Sequence, residues 1–367
     1  MIGKKHELFL KACLFQGEEA RQVWETWKTM VTLEEADTAS LELSPLLYQN
    51  LSQNRIDDDT IDKLKGYFRH TWYNNQMLFR AAEQIVGCFE KAGIRVMFLK
   101  GPALILNYYK NYGVRQMKDF DLLVPYDKKE KAIELMEQSD WKLLPIDLRD
   151  REKENYFQMH HACTFEDDRK RKVDLHWRIF NEYIREKEDE TFWEKAVTVS
   201  FGNHSVFTMS PEDQLLHVIG HGMGWNYIAN IRWVTDAKII IENADIDWAR
   251  FMEQVDRYRF RLQAKRALVY LKEVFRIPIP DELVKTLKNL PVSRIQKIEY
   301  RLKNSPYLCT VRVHLCNFLR SSYPKTVWGF LRFMKEFWDA GTVWEVPFIA
   351  VGRGFRRLYR ILVKHPV

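Results

Sequence analysis

At 367 residues the chain is long for one domain and suits two or three packed subdomains. Hydrophobic residues make up 46% and aromatic residues 14%, enough for a large core, while only 12 prolines and 15 glycines exclude a linker-rich, collagen-like or disordered chain. Lysine plus arginine outnumber aspartate plus glutamate 57 to 50, a net charge of +7 that suits an anionic substrate and is too mild to argue for nucleic acid as the partner.

Five cysteines (Cys13, Cys88, Cys163, Cys309, Cys316) are scattered without a CxxC spacing, which favours reduced, buried thiols and a cytoplasmic protein. The start, MIGKKHELFLKACLF, has a short apolar patch interrupted by Lys11 and no cleavage pattern of a signal peptide. No run of about 18 apolar residues is long enough to span a bilayer.

Residues 1–92 read as a helical region whose clearest member is KLKGYFRHTWYNNQMLFRAAEQIVGCFEKAG, with apolar residues three and four apart and Gly93 at the expected C-terminal cap. The texture then changes over 93–205. IRVMFL and DFDLLVP are strand candidates, and PALILNYYKNYG between them reads as a helix ending near Gly113. DKKEKAIELMEQ is a helix with Asp127 as its expected N-cap, and WKLLPI a further strand. HHACTFE and KVDLHWRIF alternate with period two around the charged turn DDRKRK, which makes a hairpin. Residues 206–367 return to helical patterns, opening with Ser210-Pro211-Glu212-Asp213, a cap followed by proline and two acids. The expected fold is α+β: a small mixed sheet flanked by N- and C-terminal helical regions.

Within this plan one stretch conflicts with burial. In an extended strand Asp119 and Asp121 point to the same face, while Phe120 and Leu122 point to the other. Two adjacent carboxylates repel and raise each other's pKa. A divalent cation relieves that cost, and an oxygen-rich site suits Mg²⁺. Solvation at a sheet edge, or pairing with Arg115 or Lys118, is the plainer alternative. Three features favour the site. Lys100-Gly101 forms a strand-to-helix junction where a phosphate can approach the backbone. Arg115 lies shortly before the acids, placed for phosphate or for pairing. Asp174 in VDLHW sits in a strand whose alternate residues are apolar, so it needs a partner.

This set resembles the nucleotidyltransferase superfamily of the DNA polymerase β type, and more closely the bacterial family of uncharacterised nucleotidyltransferases. That family shows a strand ending in LKG, an arginine, a D-[IF]-D-L-L-V strand and a later VDLHW strand. Here these are Leu99-Lys100-Gly101, Arg115, Asp119-Phe120-Asp121-Leu122-Leu123-Val124 and Val173-Asp174-Leu175-His176-Trp177. The likeness runs from about residue 80 to 250 if the Ser-Pro-Glu-Asp helix, His221 and Asp236 are included. Lys100-Gly101-Pro102 departs from the Gly-Gly or Gly-Ser of many superfamily members. The resemblance implies a palm-like sheet and a two-metal mechanism. Asp119, Asp121 and Asp174 would hold Mg²⁺ or Mn²⁺, and Asp174 would help deprotonate an acceptor hydroxyl. Gly101 would admit the phosphates of an NTP, with Lys100 or Arg115 neutralising their charge.

Other residues have humbler readings beside the functional one. His176 lies two residues from Asp174 on the same strand face, a nucleotide-site candidate. His217 and His221 are four apart on a predicted helix, but no glutamate follows His217, so HExxH is absent; a structural pair, or His221 facing the acids, fits better. His160 and His161 alternate faces. Trp225, Arg232, Trp233 and Asp236 cluster in the helical region; Trp233 suits the core, Arg232 and Asp236 are spaced to pair with each other, and with His221 these two are the candidates for the acceptor side. GRGFRRLYRILVKHPV at the end is basic and amphipathic, a solvated helix face or a peripheral membrane contact. The expected function is therefore transfer of an NMP group to a hydroxyl or phosphate of a small-molecule, sugar or peptide-derived acceptor. A DxD glycosyltransferase using a sugar nucleotide and a catalytically inactive binding protein are the alternatives.

Overall fold

Period-two alternation gives the central strands one apolar face and one acidic face, and the fold buries them against different partners. The computed structural model describes residues 2–144, 157, 160–180, 189–223, 231–303, 309–321, 323–338 and 340–352. Trp225 and the basic residues from Arg353 onward lie outside these.

The chain opens with α1 (Lys4–Leu14), α2 (Gly17–Lys28), α3 (Thr38–Leu41), α4 (Ser44–Gln53) and the long α5 (Ile61–Lys91). Gly93, at φ 69°, closes α5: its amide donates to Glu90 O and that of Ile94 to Phe89 O, both at 2.9 Å. There follow β1 (Met97–Phe98), α6 (Lys100–Leu104), a π-helical turn (Ile105–Tyr109), β2 (Phe120–Leu123) and a 3-10 turn (Tyr126–Lys128). Next come α7 (Lys129–Gln138), β3 (Lys142–Leu143), β4 (Ala162–Glu166), β5 (Lys172–His176), α8 (Glu190–Glu194), β6 (Val197–Phe201) and β7 (His204–Thr208). The remainder is helical: α9 (Pro211–Gly222), α10 (Arg232–Asn243), α11 (Trp248–Arg257), α12 (Arg261–Phe275), α13 (Asp281–Asn289), α14 (Arg294–Lys303), α15 (Cys309–Arg320) and α16 (Val327–Phe337).

The protein is α+β, with a seven-stranded mixed sheet in the order β3-β4-β5-β2-β1-β7-β6. β2 runs parallel to β5 and β1 parallel to β7; the other neighbours are antiparallel. Phe98, Phe120, Leu122, Phe165, Val173 and Leu175 form one face and pack on Phe79, Ile85 and Phe89 of α5 and Ile133 and Met136 of α7. On the order of 2 kcal/mol per such side chain favours this face over any register slip. Met97, Leu99 and Leu123 project the other way, into a core that joins the N-terminal helices to α9–α13.

Three local details depart from the sequence expectation. The segment after Lys100 ends its helix at Tyr109, short of Gly113, because Lys110 turns left-handed (φ 50°). Pro125, with φ −55°, starts a 3-10 turn that contains Asp127, so Lys128 and not Asp127 occupies the cap of α7. The β6–β7 hairpin, which the sequence reading did not assign, extends the sheet to Thr208, just past the expected start of the helical region at 206. Its signal was the two-residue Gly202-Asn203 connection, with Gly202 at φ 56°, between period-two runs.

Candidate active site

Register brings the acids together. β2 and β5 pair in parallel with Asp121 opposite Asp174 and Leu123 opposite His176. Because neighbours at the same level of a sheet share a face, the two carboxylates and the imidazole lie side by side on the face turned from α5. Ligand atoms of Asp121, Asp174 and His176 all fall within 4.8 Å of one another. Asp119 lies one pleat before Asp121, at the head of β2, and both line a cleft with Lys100, Gly101, His217 and His221.

Lys100 is the cation of this group. Its Nζ donates to Asp121 Oδ1 at 2.6 Å, and His176 Nε2 lies 3.1 Å from the same oxygen. Burial would raise the Asp121 pKa, but Lys100 and His176 more than reverse it and hold the carboxyl well below its ordinary value. Burial likewise opposes the Lys100 charge, and Asp121 outweighs it, so that pKa is raised. Asp119 has no such hydrogen-bond partner among the described residues: burial first, then Asp121 and Asp174, push it up to about 6. Thr164 on β4 donates its hydroxyl to Asp174 Oδ1 at 2.6 Å and fixes that carboxylate. His176 Nδ1 is buried with no hydrogen-bond partner among the described residues, and the ring meets His161 edge to face.

The strand-to-helix junction is tight. Lys100 adopts φ 44°, a left-handed backbone that costs a non-glycine residue of order 1 kcal/mol and clusters at functional sites. Gly101 is needed for close packing: a Cβ there would lie 2.7 Å from Arg115 Nη1 and 2.7 Å from Met117 Sδ. The sequence assigned this glycine to phosphate approach; its immediate neighbour is the loop that delivers Asp119.

Arg115 does not pair with the DxD acids. Its Nε and Nη2 donate to Asp236 Oδ1 and Oδ2 at 2.8 and 2.9 Å, a buried two-point clamp between the loop before β2 and α10. Tyr109, the last residue of the π-helical turn, donates to Asp236 Oδ1 at 2.9 Å. The expected Arg232–Asp236 pair is therefore replaced. Arg232 Nη1 donates to Gln116 O at 3.0 Å and lies 3.5 Å from Glu42. Trp233 is buried and also borders the cleft.

Two contributors escaped the sequence reading. Buried Asn75 of α5 donates to Tyr112 O and Arg115 O at 2.7 and 2.8 Å and accepts from Met117 N at 3.3 Å, so one amide orders the loop leading to Asp119. Its only signal was a polar residue inside an otherwise apolar helix face. Glu42, just after α3, lines the cleft and accepts from Lys118 at 2.5 Å, which carries the N-terminal region to the rim of the site. No local motif marked it.

His217 and His221 both border the cleft with rings stacked, centroids 6.1 Å apart. Burial first, then His221 and Lys100, hold His217 well below the ordinary imidazole pKa, so it is neutral at pH 7. Burial first, then Lys100, likewise hold His221 down to about 4, so the pair forms a neutral wall of the cleft near Asp121.

The model of the uncharacterised nucleotidyltransferase family matches residues 38–276, well over half the chain. The chain belongs to this family. It is a nucleotidyltransferase by that membership, which sets the glycosyltransferase alternative aside. The matched span takes in Glu42, the LKG junction, the three acids and Asp236. Among solved structures, the lincosamide antibiotic adenylyltransferase LnuA, lincomycin-bound, is similar at 14% identity over 45% of this chain and 97% of that one, TM-score 0.31. An antigenic nucleotidyltransferase-like protein from Paracoccidioides brasiliensis is similar at 11% identity over 57% of this chain and 95% of that one, TM-score 0.35. No curated protein matches the sequence.

Proposed function

We propose that the protein transfers an NMP group from an NTP to a hydroxyl or phosphate of a small-molecule, sugar or peptide-derived acceptor, using Mg²⁺ or Mn²⁺. The observation that carries this reading is that Asp119 and Asp121 line one cleft with Lys100, and that Asp174 lies beside Asp121 with ligand atoms within 4.8 Å. The donor set fits such an ion: Asp121 and Asp174 offer carboxylate oxygens close together, and the His176 nitrogen makes Mn²⁺ as suitable as Mg²⁺. Bound there, the ion would neutralise phosphate charge and make the acceptor hydroxyl more acidic.

The chain's own groups account for the rest. Lys100 lies against Asp121 and would exchange that partner for phosphate oxygens as the nucleotide enters. Asp174, oriented by Thr164, would take the acceptor proton. The acceptor oxygen then bonds to the α-phosphorus, the α–β bridging bond breaks, and pyrophosphate leaves with both bonding electrons. Arg115, with Nε and Nη2 committed to Asp236, supplies positive field and rigidity more than a free fork. Arg232, bonded through Nη1 to Gln116 O and paired with Glu42 at 3.5 Å, and His221 line the side open to an acceptor. No helix among the described residues is long and apolar enough to cross a membrane, and we place the enzyme in the cytoplasm, where NTPs and Mg²⁺ are available.

Incubation with Mg²⁺ or Mn²⁺, labelled NTPs and candidate acceptors should release pyrophosphate, and Asp121→Asn or Asp174→Asn should lower the rate at least about 100-fold. Absence of NTP binding at millimolar nucleotide, or activity surviving both substitutions, would sink the proposal.

A further inference from the structure

Three charged side chains from distant parts of the chain meet at one edge of the cleft. Glu42 follows α3, Lys118 lies in the loop that leads to Asp119, and Arg232 opens α10. All three line the cleft together with Lys100, Asp119 and Asp121. Lys118 Nζ donates to Glu42 Oε1 at 2.5 Å, and Arg232 Nη1 lies 3.5 Å from Glu42 Oε2. One carboxylate therefore serves two cations, an oxygen to each.

The charges at this edge do not balance. Among the described residues Arg232 hydrogen-bonds only through Nη1, to Gln116 O at 3.0 Å, which leaves Nε and Nη2 for a further anion. Arg115 is closed by contrast, with Nε and Nη2 both given to Asp236. Burial first, then the Arg115 charge, lower the Arg232 pKa, and Asp236 and Glu42 do not make up the difference. The Lys118 side chain is 63% exposed, so its bond to Glu42 competes with water. A carboxylate set between a guanidinium fork and an ammonium stands where two oxygens of a phosphate or of another carboxylate would bind.

We propose that Lys118 and Arg232 form an anion subsite which Glu42 fills with its own carboxylate, and that an anionic group of a substrate displaces it. The occupant offers phosphate or carboxylate oxygens, either from the polyphosphate tail of an NTP or from an anionic acceptor. Naming those two sources rests on the transferase reading. The test reads binding and not turnover, so the subsite can fail while that reading stands.

Calorimetric titration of the full-length protein with inorganic pyrophosphate in metal-free buffer measures the competition. Glu42→Gln keeps the shape of the side chain and removes its charge, so it should bind pyrophosphate about threefold tighter or better. Lys118→Met should bind it about threefold more weakly, and the double variant should lose the gain of Glu42→Gln. A merely structural strap predicts the opposite sign: loosening it leaves affinity unchanged or lowers it. Equal or weaker binding by Glu42→Gln, or no pyrophosphate binding by any form, therefore overturns the proposal. Should Glu42→Gln melt well below the unaltered protein, Lys118→Met decides, since its side chain is mostly exposed; unchanged affinity there sinks the subsite. Repeating the titration with ATP present assigns the source. ATP that displaces the probe and gains the same factor in Glu42→Gln makes the occupant its polyphosphate tail, and a probe that still binds makes it the acceptor.

Discussion

The two acids of one short motif sit in opposite electrostatic states. Asp121 is held ionised by Lys100 and His176, whereas Asp119 bears the repulsion and is pushed up to about 6. A folded-state pKa raised above the unfolded carboxylate value means the folded protein binds the extra proton between about pH 4 and 6, so stability falls as pH rises through that window. Asp119→Asn should therefore stabilise the protein by on the order of 2 kcal/mol above pH 6 and by nothing near pH 4. Asp121→Asn should do the reverse, destabilising by about 2 kcal/mol at neutral pH by leaving the Lys100 charge uncompensated. Denaturant melts across pH check both, and equal signs for the two substitutions would refute this division of roles. The same residues mark the limit of what the sequence disclosed. Period two placed Asp119 with Asp121 on one strand face and Asp174 with His176 on another, because side-chain direction in a strand is local; the β2–β5 register that joins them was not legible. Which acid Lys100 would choose was not legible, since that depends on where a left-handed junction aims its side chain. Thr164 and Glu42 left no trace, and Asn75 only a polar residue on an apolar helix face; each acts through a contact set only by tertiary packing.

Among the elements, β1–β5 and α5 were readable from apolar spacing and the Gly93 stop, while β6 and β7 were not assigned. The pairing of elements was not readable. Arg115 and Asp236 are 121 positions apart, and the sequence offered nearer partners to both. Their clamp ties the loop entering β2 to α10, with Tyr109 and Arg232 fastening the same joint. It is buried, so removing one partner strands a charge: Asp236→Ala should cost about 3–5 kcal/mol. Arg115→Met combined with Asp236→Leu should recover much of that loss, because an apolar pair of similar volume carries no desolvation cost. The double variant should nevertheless bind nucleotide more weakly, since the positive field near Gly101 goes with it. A double-mutant cycle in chemical denaturation, with nucleotide titration alongside, measures both effects. Additive losses would show that the clamp is not a coupled unit.

At the scale of the whole molecule, three apolar clusters divide the work. One unites the N-terminal helices with α9–α13, one lies between the sheet and α5 and α7, and a small third belongs to the last helices alone. The first two meet at the sheet, and the acids lie on the face of the first. Residues before 93, between 93 and 205 and after 205 thus share a core at the sheet face that carries the acids. The third cluster shares none, and a polar link from Arg259 of the segment after α11 to Glu299 of α14, at 3.1 Å, ties its end of the chain to the rest. A chain ending at Pro291 should therefore retain a single cooperative melt at a lower temperature and keep its stabilisation by NTP with Mn²⁺. The physical reason is that every residue of the two large clusters precedes the cut. Calorimetry of the shortened chain with and without nucleotide decides the matter: loss of the cooperative transition would mean that α14–α16 complete the main core and do not merely rest against it.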